Sequence, residues 1–152
     1  MINKARTVAV TGHRILGADF DREKLKEIFY KLIDEGYDCF LVGMAIGFDT
    51  ECFYLLEEIR KEKKVKIIAC IPCKDQSAKF REAQKRKYEY MVSVADERVI
   101  LSQKYTSDCM MKRNRYMVDN CSVLVSYKRR ETGGTAATVR YAKKQNIRII
   151  EL

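Results

Sequence analysis

The feature of this sequence that most constrains its fold is the repeated alternation of short apolar runs with amphipathic segments. Apolar, β-branched runs of this length predict buried strands, and apolar residues at helical spacing predict the helices between them. Such alternation is typical of an α/β fold in which a mainly parallel sheet is covered by helices on both faces. A chain of 152 residues without a low-complexity linker is long enough for one full core, so residues 1–152 are expected to form a single domain.

The hydrophobic pattern assigns most of the chain to strands or helices. The predicted strands are residues 7–10, 39–42, 65–71, 98–101, 123–125 and 147–150. The predicted helices are one capped by Asp21 and ended by Gly36, a second through residues 52–59, a long third over 77–95, a fourth capped by Ser107, and a fifth that follows Gly133 and Gly134. In the third helix, Phe80, Ala83, Met91, Val94 and Ala95 are expected to face inward.

Glycine-containing junctions follow three of the predicted strands and form the strongest functional signal. They are Thr11-Gly12-His13-Arg14, the segment from Gly43 through Ala45 and Gly47 to Asp49, and Gly133-Gly134-Thr135. Glycine lets the backbone approach a ligand closely, and the free amides of a following helix attract anions. Because the carboxyl ends of parallel strands lie at one edge of the sheet, the three junctions are expected to line one cleft for a phosphate-bearing ligand.

Charged and polar side chains near these junctions have two interpretations each. Arg14 is either a phosphate ligand or a solvated arginine, and His13 either polarises a ligand oxygen as an acid or base or braces its loop. Asp49 either caps the second helix or accepts hydrogen bonds from ribose hydroxyls. Arg113 is expected on the ligand side of the fourth helix, where Asn114 either braces the core or faces the ligand.

Other side chains near the fourth helix are expected to have structural roles or none. Asp119 is expected to pair with Arg115. Gly134 is expected to adopt a positive φ. No nucleophile is evident, so catalytic residues stay unassigned, with His13 and Asp49 as the candidates.

Composition excludes some classes of function and leaves others open. The net charge of +9 and a basic third helix, with Tyr88 and Tyr90 as candidate stacking residues, suit an anionic ligand or single-stranded nucleic acid, although weak binding is all that is expected of the latter.

Six scattered cysteines, one C-x-x-C at 70–73 and a single histidine indicate reduced, buried thiols and predict neither a metal site nor a cofactor. Without a membrane-spanning run or a signal peptide, a cytoplasmic location is expected, and self-association is left open.

Several motifs together resemble the YpsA-like family of the SLOG superfamily over nearly the whole chain. They are Thr11-Gly12-His13-Arg14, Gly43-Met44-Ala45-x-Gly47-x-Asp49, Ile71-Pro72 with Gln76, the stretch from Cys109 to Asp119 that contains Arg-Asn-Arg-Tyr-Met-Val-Asp, and the stretch from Gly133 to Ala142. The resemblance implies a Rossmann-like three-layer domain that binds nucleotides or nucleotide-derived ligands, either as a sensor or as an enzyme of unassigned reaction.

The superfamily also includes LONELY GUY phosphoribohydrolases and the DNA-processing protein A family, which supply two alternatives. One is hydrolysis of the N-glycosidic bond of a nucleoside phosphate by a displaced acid or base, and the other is single-strand binding. The motif Met110-x-x-Arg113-Asn114-x-x-Met117 resembles the first LONELY GUY signature, with Asn114 in place of lysine. Arg140 stands where the catalytic glutamate of the second signature would be, which argues against the same hydrolysis.

Overall fold

The computed structural model describes residues 2–152, and within them six strands form one sheet in which every pair is parallel. The strand order is β4-β3-β2-β1-β5-β6. The strands are β1 Thr7–Gly12, β2 Cys39–Val42, β3 Lys66–Ile71, β4 Glu97–Ile100, β5 Val123–Tyr127 and β6 Arg148–Glu151. The predicted α/β class with a mainly parallel sheet is confirmed.

Five α-helices connect the strands and cover both faces of the sheet, which makes three layers. They are α1 Arg22–Asp34, α2 Phe48–Arg60, α3 Glu82–Val94, α4 Cys109–Asp119 and α5 Gly134–Lys144. One apolar core lies between the sheet and α1, α2 and α3, and a second lies between the opposite face and α4 and α5. Because successive side chains of a strand point to opposite faces, Val8 and Val10 belong to the first core and Ala9 belongs to the second.

The point at which the strand order reverses lies between β1 and β5. Successive connections move from β1 outward to β4, and the chain then crosses back to place β5 on the other side of β1. Gly12 and Tyr127 pair at the carboxyl ends of these two strands. In open parallel sheets a crevice forms beyond the carboxyl ends at this reversal, and ligands bind there.

Capping hydrogen bonds mark the starts of α1 and α3, and the structure corrects two of the predicted helix starts. Asp21 caps α1 as predicted, accepting a hydrogen bond from the Lys24 amide at 3.0 Å, and Gly36 follows the helix with φ 106°. The third helix starts at Glu82 rather than near residue 77, because residues 73–80 form successive turns and the Gln84 side chain accepts from the Arg81 amide. The fourth helix is preceded by Asp108, not by Ser107.

Burial corrects the predicted inner face of the third helix. Tyr88 and Met91 are its buried residues, Phe80 is partly buried against the first core, and Ala83 is exposed. All six cysteines are free and buried, as the sequence indicated. No helix among residues 2–152 combines the length and the apolar character that crossing a membrane requires.

Candidate functional site

A cleft of about 940 Å³ opens beyond the carboxyl ends of β1 and β5, at the reversal of strand order. Residues from all three glycine junctions and from α4 contribute to its walls. The predicted site residues in its lining are Gly12, His13, Arg14, Gly43, Ala45, Asp49, Arg113, Asn114, Gly134 and Thr135. Gly47 and Gly133 are not in the lining. Residues that the sequence did not single out as site residues also line it, and they include Ile15, Asp19, Tyr127, Arg129 and Arg130.

Gly12 and Gly47 shape the cleft through packing. A β-carbon on Gly12 would overlap the ring of Phe48, which itself stacks on Tyr127 with ring centroids 5.8 Å apart. Gly47 precedes α2 with φ 83°, and a β-carbon there would overlap the carbonyl of Arg14. These two glycines therefore let α2 press against the loop that follows β1, and this contact fixes one wall of the cleft.

His13 is engaged with the loop after β5. Its Nε2 atom accepts a hydrogen bond from the Arg129 amide at 2.8 Å, which places the proton of the neutral ring on Nδ1. Burial, followed by the charges of Arg130 and Arg129, lowers the pKa of the imidazole below its ordinary value. The Nε2 lone pair is thus already used, and this geometry favours loop bracing over acid–base chemistry at His13.

The carbonyl oxygen of Gly43 lies at the centre of a buried polar group. It accepts hydrogen bonds from Arg113 Nη1 and, at 3.2 Å, from Gln76 Nε2. Asp49 Oδ2 accepts from the amide of Ala45 at 3.2 Å. A β-carbon on Gly43 would lie 2.7 Å from Arg113 Nη1 and 2.9 Å from Asp49 Oδ2, so only glycine leaves space for both charged groups.

Asp49 and Arg113 are buried charges that face the cleft, with 6% and 5% of their surfaces exposed. Burial raises the pKa of Asp49 to about 6, although Arg113, the Ala45 amide and Arg14 oppose the change. Burial also lowers the pKa of Arg113, and the carboxylate of Asp49 opposes that change. Ionisable side chains whose pKa values are shifted by burial in a cleft are typical of functional sites. The alternative that Asp49 caps α2 is wrong, because Gly47 is the cap and the carboxylate bonds to Ala45, before the helix.

Asn114 lines the cleft, and its Oδ1 accepts a hydrogen bond from Arg113 Nε at 2.7 Å, which helps to hold the guanidinium in place. Further along α4, Asp119 does not pair with Arg115. The carboxylate accepts from the Tyr141 hydroxyl at 2.8 Å, and Arg115 lies 5.4 Å from the centre of the same ring. Contact between α4 and α5 therefore replaces the predicted pair within α4.

The N-terminus of α5 is open toward the cleft. Gly133 precedes the helix with φ 94° and supplies no capping side chain, so the positive φ lies at Gly133 rather than at Gly134, where it was expected. A β-carbon on Gly134 would meet nothing within 4 Å. Thr135 is 7% exposed, lines the cleft, and its hydroxyl forms no hydrogen bond within residues 2–152. This end of the helix thus combines free amides with an unpartnered hydroxyl.

A latch of three residues, Asp19, Tyr127 and Arg129, joins the loops after β1 and β5 at the rim of the cleft. Arg129 Nε lies 2.6 Å from Asp19 Oδ2, and the guanidinium lies 4.2 Å from the Tyr127 ring centre. The Tyr127 hydroxyl donates to Asp19 Oδ1 and accepts from the Gly17 amide, both at 3.0 Å. The sequence offered one signal for these residues, a basic run directly after a strand.

The two tyrosines considered for stacking of nucleic-acid bases do not form a platform. Tyr88 is buried with 7% of its surface exposed. Tyr90 is exposed, but it stacks on Tyr54 and donates a hydrogen bond to Glu57 at 2.5 Å. The basic third helix therefore lacks the paired exposed aromatics on which single-stranded bases commonly stack.

Comparison with known proteins identifies the family. The model of the YpsA family, described as the YspA SLOG family, matches residues 17–150. The uncharacterized SPbeta prophage-derived protein YoqJ of Bacillus subtilis is 29% identical over 139 residues, which cover 81% of this chain and 80% of YoqJ. The UPF0398 protein BH1768 of Halalkalibacterium halodurans is 21% identical over 146 residues, covering 93% of this chain and 77% of that protein. The chain belongs to the YpsA family.

Solved structures share the fold. DNA processing protein A (DprA) of Streptococcus pneumoniae superposes on 95% of this chain with a TM-score of 0.72 and 19% identity, and the chain spans about half of its length, 49%. DNA processing protein A of Helicobacter pylori, whose structure describes a single-stranded DNA binding mode, gives a TM-score of 0.64 at 14% identity over 95% of this chain and 64% of that one. The structural genomics target TM1055 gives 0.55 at 16% identity, over 95% and 72%.

Proposed function

We propose that this member of the YpsA family binds a nucleotide or a nucleotide-derived small molecule in the cleft between β1 and β5. One observation carries the proposal, namely that an uncapped helix N-terminus, the unpartnered hydroxyl of Thr135 and two buried charges line the same cleft. The cleft volume of about 940 Å³ is also within the range of small-molecule sites.

The α5 end of the cleft suits the phosphate of such a ligand. The amides at Gly134 and Thr135 belong to the first turn of α5 and have no partner within the helix, and the helix dipole favours an anion there. Arg14 and Arg113, which also line the cleft, supply positive charge. A phosphate in this position would accept hydrogen bonds from the amides and from the Thr135 hydroxyl.

The Gly43 side of the cleft suits the nucleoside. Asp49 Oδ2 is engaged with the Ala45 amide, which leaves Oδ1 as an acceptor without a partner among the described residues. A carboxylate next to a glycine-lined wall is the arrangement with which dinucleotide-binding folds accept hydrogen bonds from ribose hydroxyls. Asp49 is therefore assigned to the ribose, and Gly43 and Ala45 to the surface against which the nucleoside lies.

Hydrolysis of the N-glycosidic bond is the second candidate, and one observation favours it. Asp49 has a pKa of about 6, so it can exchange a proton near neutral pH inside the cleft. His13 is a poorer choice, because its Nε2 lone pair is engaged. Arg140, which stands where a glutamate would act in LONELY GUY enzymes, donates to the Glu131 carbonyl and lies outside the lining. Release of free base from a nucleoside monophosphate that stops in Asp49→Asn would identify this activity.

Binding is tested with three variants and the nucleotide that native mass spectrometry finds on freshly purified protein. Gly134→Val should abolish binding in calorimetric titrations, because its β-carbon meets no protein atom within 4 Å while its side chain would fill the phosphate position. Arg113→Ala should weaken binding roughly tenfold to a hundredfold, the effect of losing one charge-assisted hydrogen bond. Arg140→Ala is the matched control and should bind as wild type does. Normal binding by Gly134→Val would overturn the placement of the phosphate.

A further inference from the structure

The charged side chains in the cleft lining do not balance one another. The cationic residues of the lining are Arg14, Arg113, Arg129 and Arg130, and the acidic residues are Asp19 and Asp49. Asp19 pairs with Arg129, and Asp49 stabilises the charged form of Arg113. Arg14 and Arg130 make no ion pair and donate no side-chain hydrogen bond within residues 2–152. The charge of Arg14 acts on the buried charges of Asp49 and Arg113. Arg130 is thus the guanidinium near the N-terminus of α5 that no carboxylate of residues 2–152 compensates.

Arg129 and Arg130 are adjacent in sequence but differ in what they contact. Arg129 is engaged through Asp19 and also donates to the carbonyl of Leu152 at 2.8 Å. Arg130 is exposed, and its Nη2 atom lies 3.7 Å from the position that a β-carbon on Gly133 would occupy. The guanidinium of Arg130 is therefore beside the residue that caps α5, while Arg129 holds the rim together.

A cation at this place is unfavourable unless an anion joins it. The N-terminus of a helix carries about half a positive charge, so a neighbouring guanidinium is repelled by it. The nearest exposed carboxylate in sequence, Glu131, pairs with Lys128 at 3.1 Å. Thr135 lines the same cleft, and its hydroxyl has no hydrogen-bond partner among residues 2–152. An anion between Arg130 and α5 would satisfy all three groups.

We propose that Arg130 is a phosphate-binding residue of the cleft and that the group it binds is a terminal phosphate monoester. This inference rests on the proposed function and names the ligand class more closely. Arg130 and the helix end together provide about one and a half positive charges. A phosphate monoester carries about −1.5 to −2 at neutral pH, whereas a phosphodiester of a nucleic-acid backbone carries about −1. The monoester is the better match, so a free nucleotide fits this end of the cleft better than a strand does.

His13 provides a built-in reporter for the test, because it is the single histidine of the chain. Arg129 and Arg130 face it as charged groups, and Tyr127 packs edge-on against its ring at 5.9 Å. The Arg130 charge is one of the causes that depress the pKa of His13. A bound anion would offset that charge, so the pKa of the imidazole should rise on binding, and it should also rise in Arg130→Ala without any anion.

The experiment follows the NMR signals of His13 at pH 7.5 and constant ionic strength while methyl phosphate or dimethyl phosphate is added. The first probe is mainly a dianion at this pH, and the second is a monoanion. Wild type should bind methyl phosphate at least about tenfold more tightly than dimethyl phosphate, and Arg130→Ala should lose about tenfold for methyl phosphate, since one charge-assisted contact is removed. Lys143→Ala, which removes one positive charge from the opposite end of α5, is the matched control and should bind as wild type does.

Each alternative result counts against the proposal in a distinct way. If Gly134→Val loses methyl phosphate but Arg130→Ala keeps it, the phosphate site stands and the role of Arg130 is refuted. If dimethyl phosphate binds equally well, the monoester assignment fails. If Lys143→Ala weakens binding as much as Arg130→Ala does, the effect is one of overall charge. If neither compound changes the His13 signals of wild type, both this inference and the proposed phosphate position fail.

Discussion

Replacing Asp49 with asparagine should change how the stability of the protein depends on pH. The carboxylate is buried and accepts one hydrogen bond from the Ala45 amide, which an asparagine oxygen can also accept. Burial raises the pKa of Asp49 from its ordinary value of 3.8 to about 6, despite the opposing charge of Arg113. Asparagine is neutral, so Asp49→Asn removes the desolvation penalty that lowers the stability of the wild-type fold whenever Asp49 is ionised.

The direction and size of the effect follow from proton linkage. Between pH about 4 and about 6 the folded protein keeps the Asp49 proton that the unfolded chain has released, so the free energy of unfolding falls as the pH rises. Below this window the residue is protonated in both states, and above it both states are ionised. A difference of about two pKa units corresponds to about 3 kcal/mol, at roughly 1.36 kcal/mol per unit. Asp49→Asn lacks this loss, so its stability relative to wild type should grow by about that amount from pH 4 to pH 7.

Urea unfolding of both proteins at several values between pH 4 and pH 7.5 measures this difference directly. Asp34→Asn is the matched control, because it removes an equal charge from an exposed position on α1 and should give a constant difference from wild type. A constant difference for Asp49→Asn would refute the burial argument. If instead wild type gains stability relative to Asp49→Asn as the pH rises through the window, the attraction of Arg113 outweighs desolvation and the pKa of Asp49 is lowered rather than raised.

Three further outcomes are expected. Gly12→Ala should lower the free energy of unfolding by about 1–3 kcal/mol in urea titrations, because the new β-carbon overlaps the ring of Phe48; an unchanged value would contradict the packing assigned to Gly12. Single-stranded DNA, followed by fluorescence anisotropy, should bind weakly and lose its affinity steeply between about 50 and 200 mM salt, since counterion release would supply nearly all of it; tight binding at high salt would favour single-strand binding as the function. Dialysis against EDTA should leave the thermal midpoint unchanged, because residues 2–152 contain no cluster of three potential metal-ligating side chains; a lowered midpoint would reveal a structural metal.

The sequence predicted the class of the fold because the relevant signals are local. Each buried strand is an apolar run, and each helix has a stripe at helical spacing, so the alternation specifies a parallel sheet with little ambiguity. The sequence predicts too early a start for the third helix, because the polar residues that precede Glu82 are also compatible with a helix. In the structure the backbone hydrogen bonds of residues 73–80 close separate turns instead. Only the contacts of the folded chain, such as the bond from Gln76 to the Gly43 carbonyl, favour those turns.

The candidate site was predictable to the extent that glycines reveal it. Gly12, Gly43 and Gly134 could be placed at one edge of the sheet because each belongs to a junction beyond a predicted strand, whereas the latch of Asp19, Tyr127 and Arg129 could not. Asp19 lies 108 residues from Tyr127 in sequence and 110 from Arg129, so no local pattern connects them. Arg130 could not be predicted for the same reason, because its proposed role depends on the neighbouring Arg129 being paired with Asp19.

The contacts in the cleft separate the residues that build it from those that are free to meet a ligand. Gly12 packs against Phe48, and Arg129 bonds to Asp19. This side of the cleft therefore cannot change its shape unless a loop moves. Three other residues line the cleft with groups that are free to meet a ligand. The space beside Gly134 is open, and neither the Thr135 hydroxyl nor the Arg130 guanidinium has a hydrogen-bond or ion-pair partner among residues 2–152. Substitutions in the first set should therefore lower stability and affinity together, whereas substitutions in the second should lower affinity alone. If a variant of Gly134, Thr135 or Arg130 unfolds at a lower urea concentration than wild type does, these residues support the fold and the division itself is wrong.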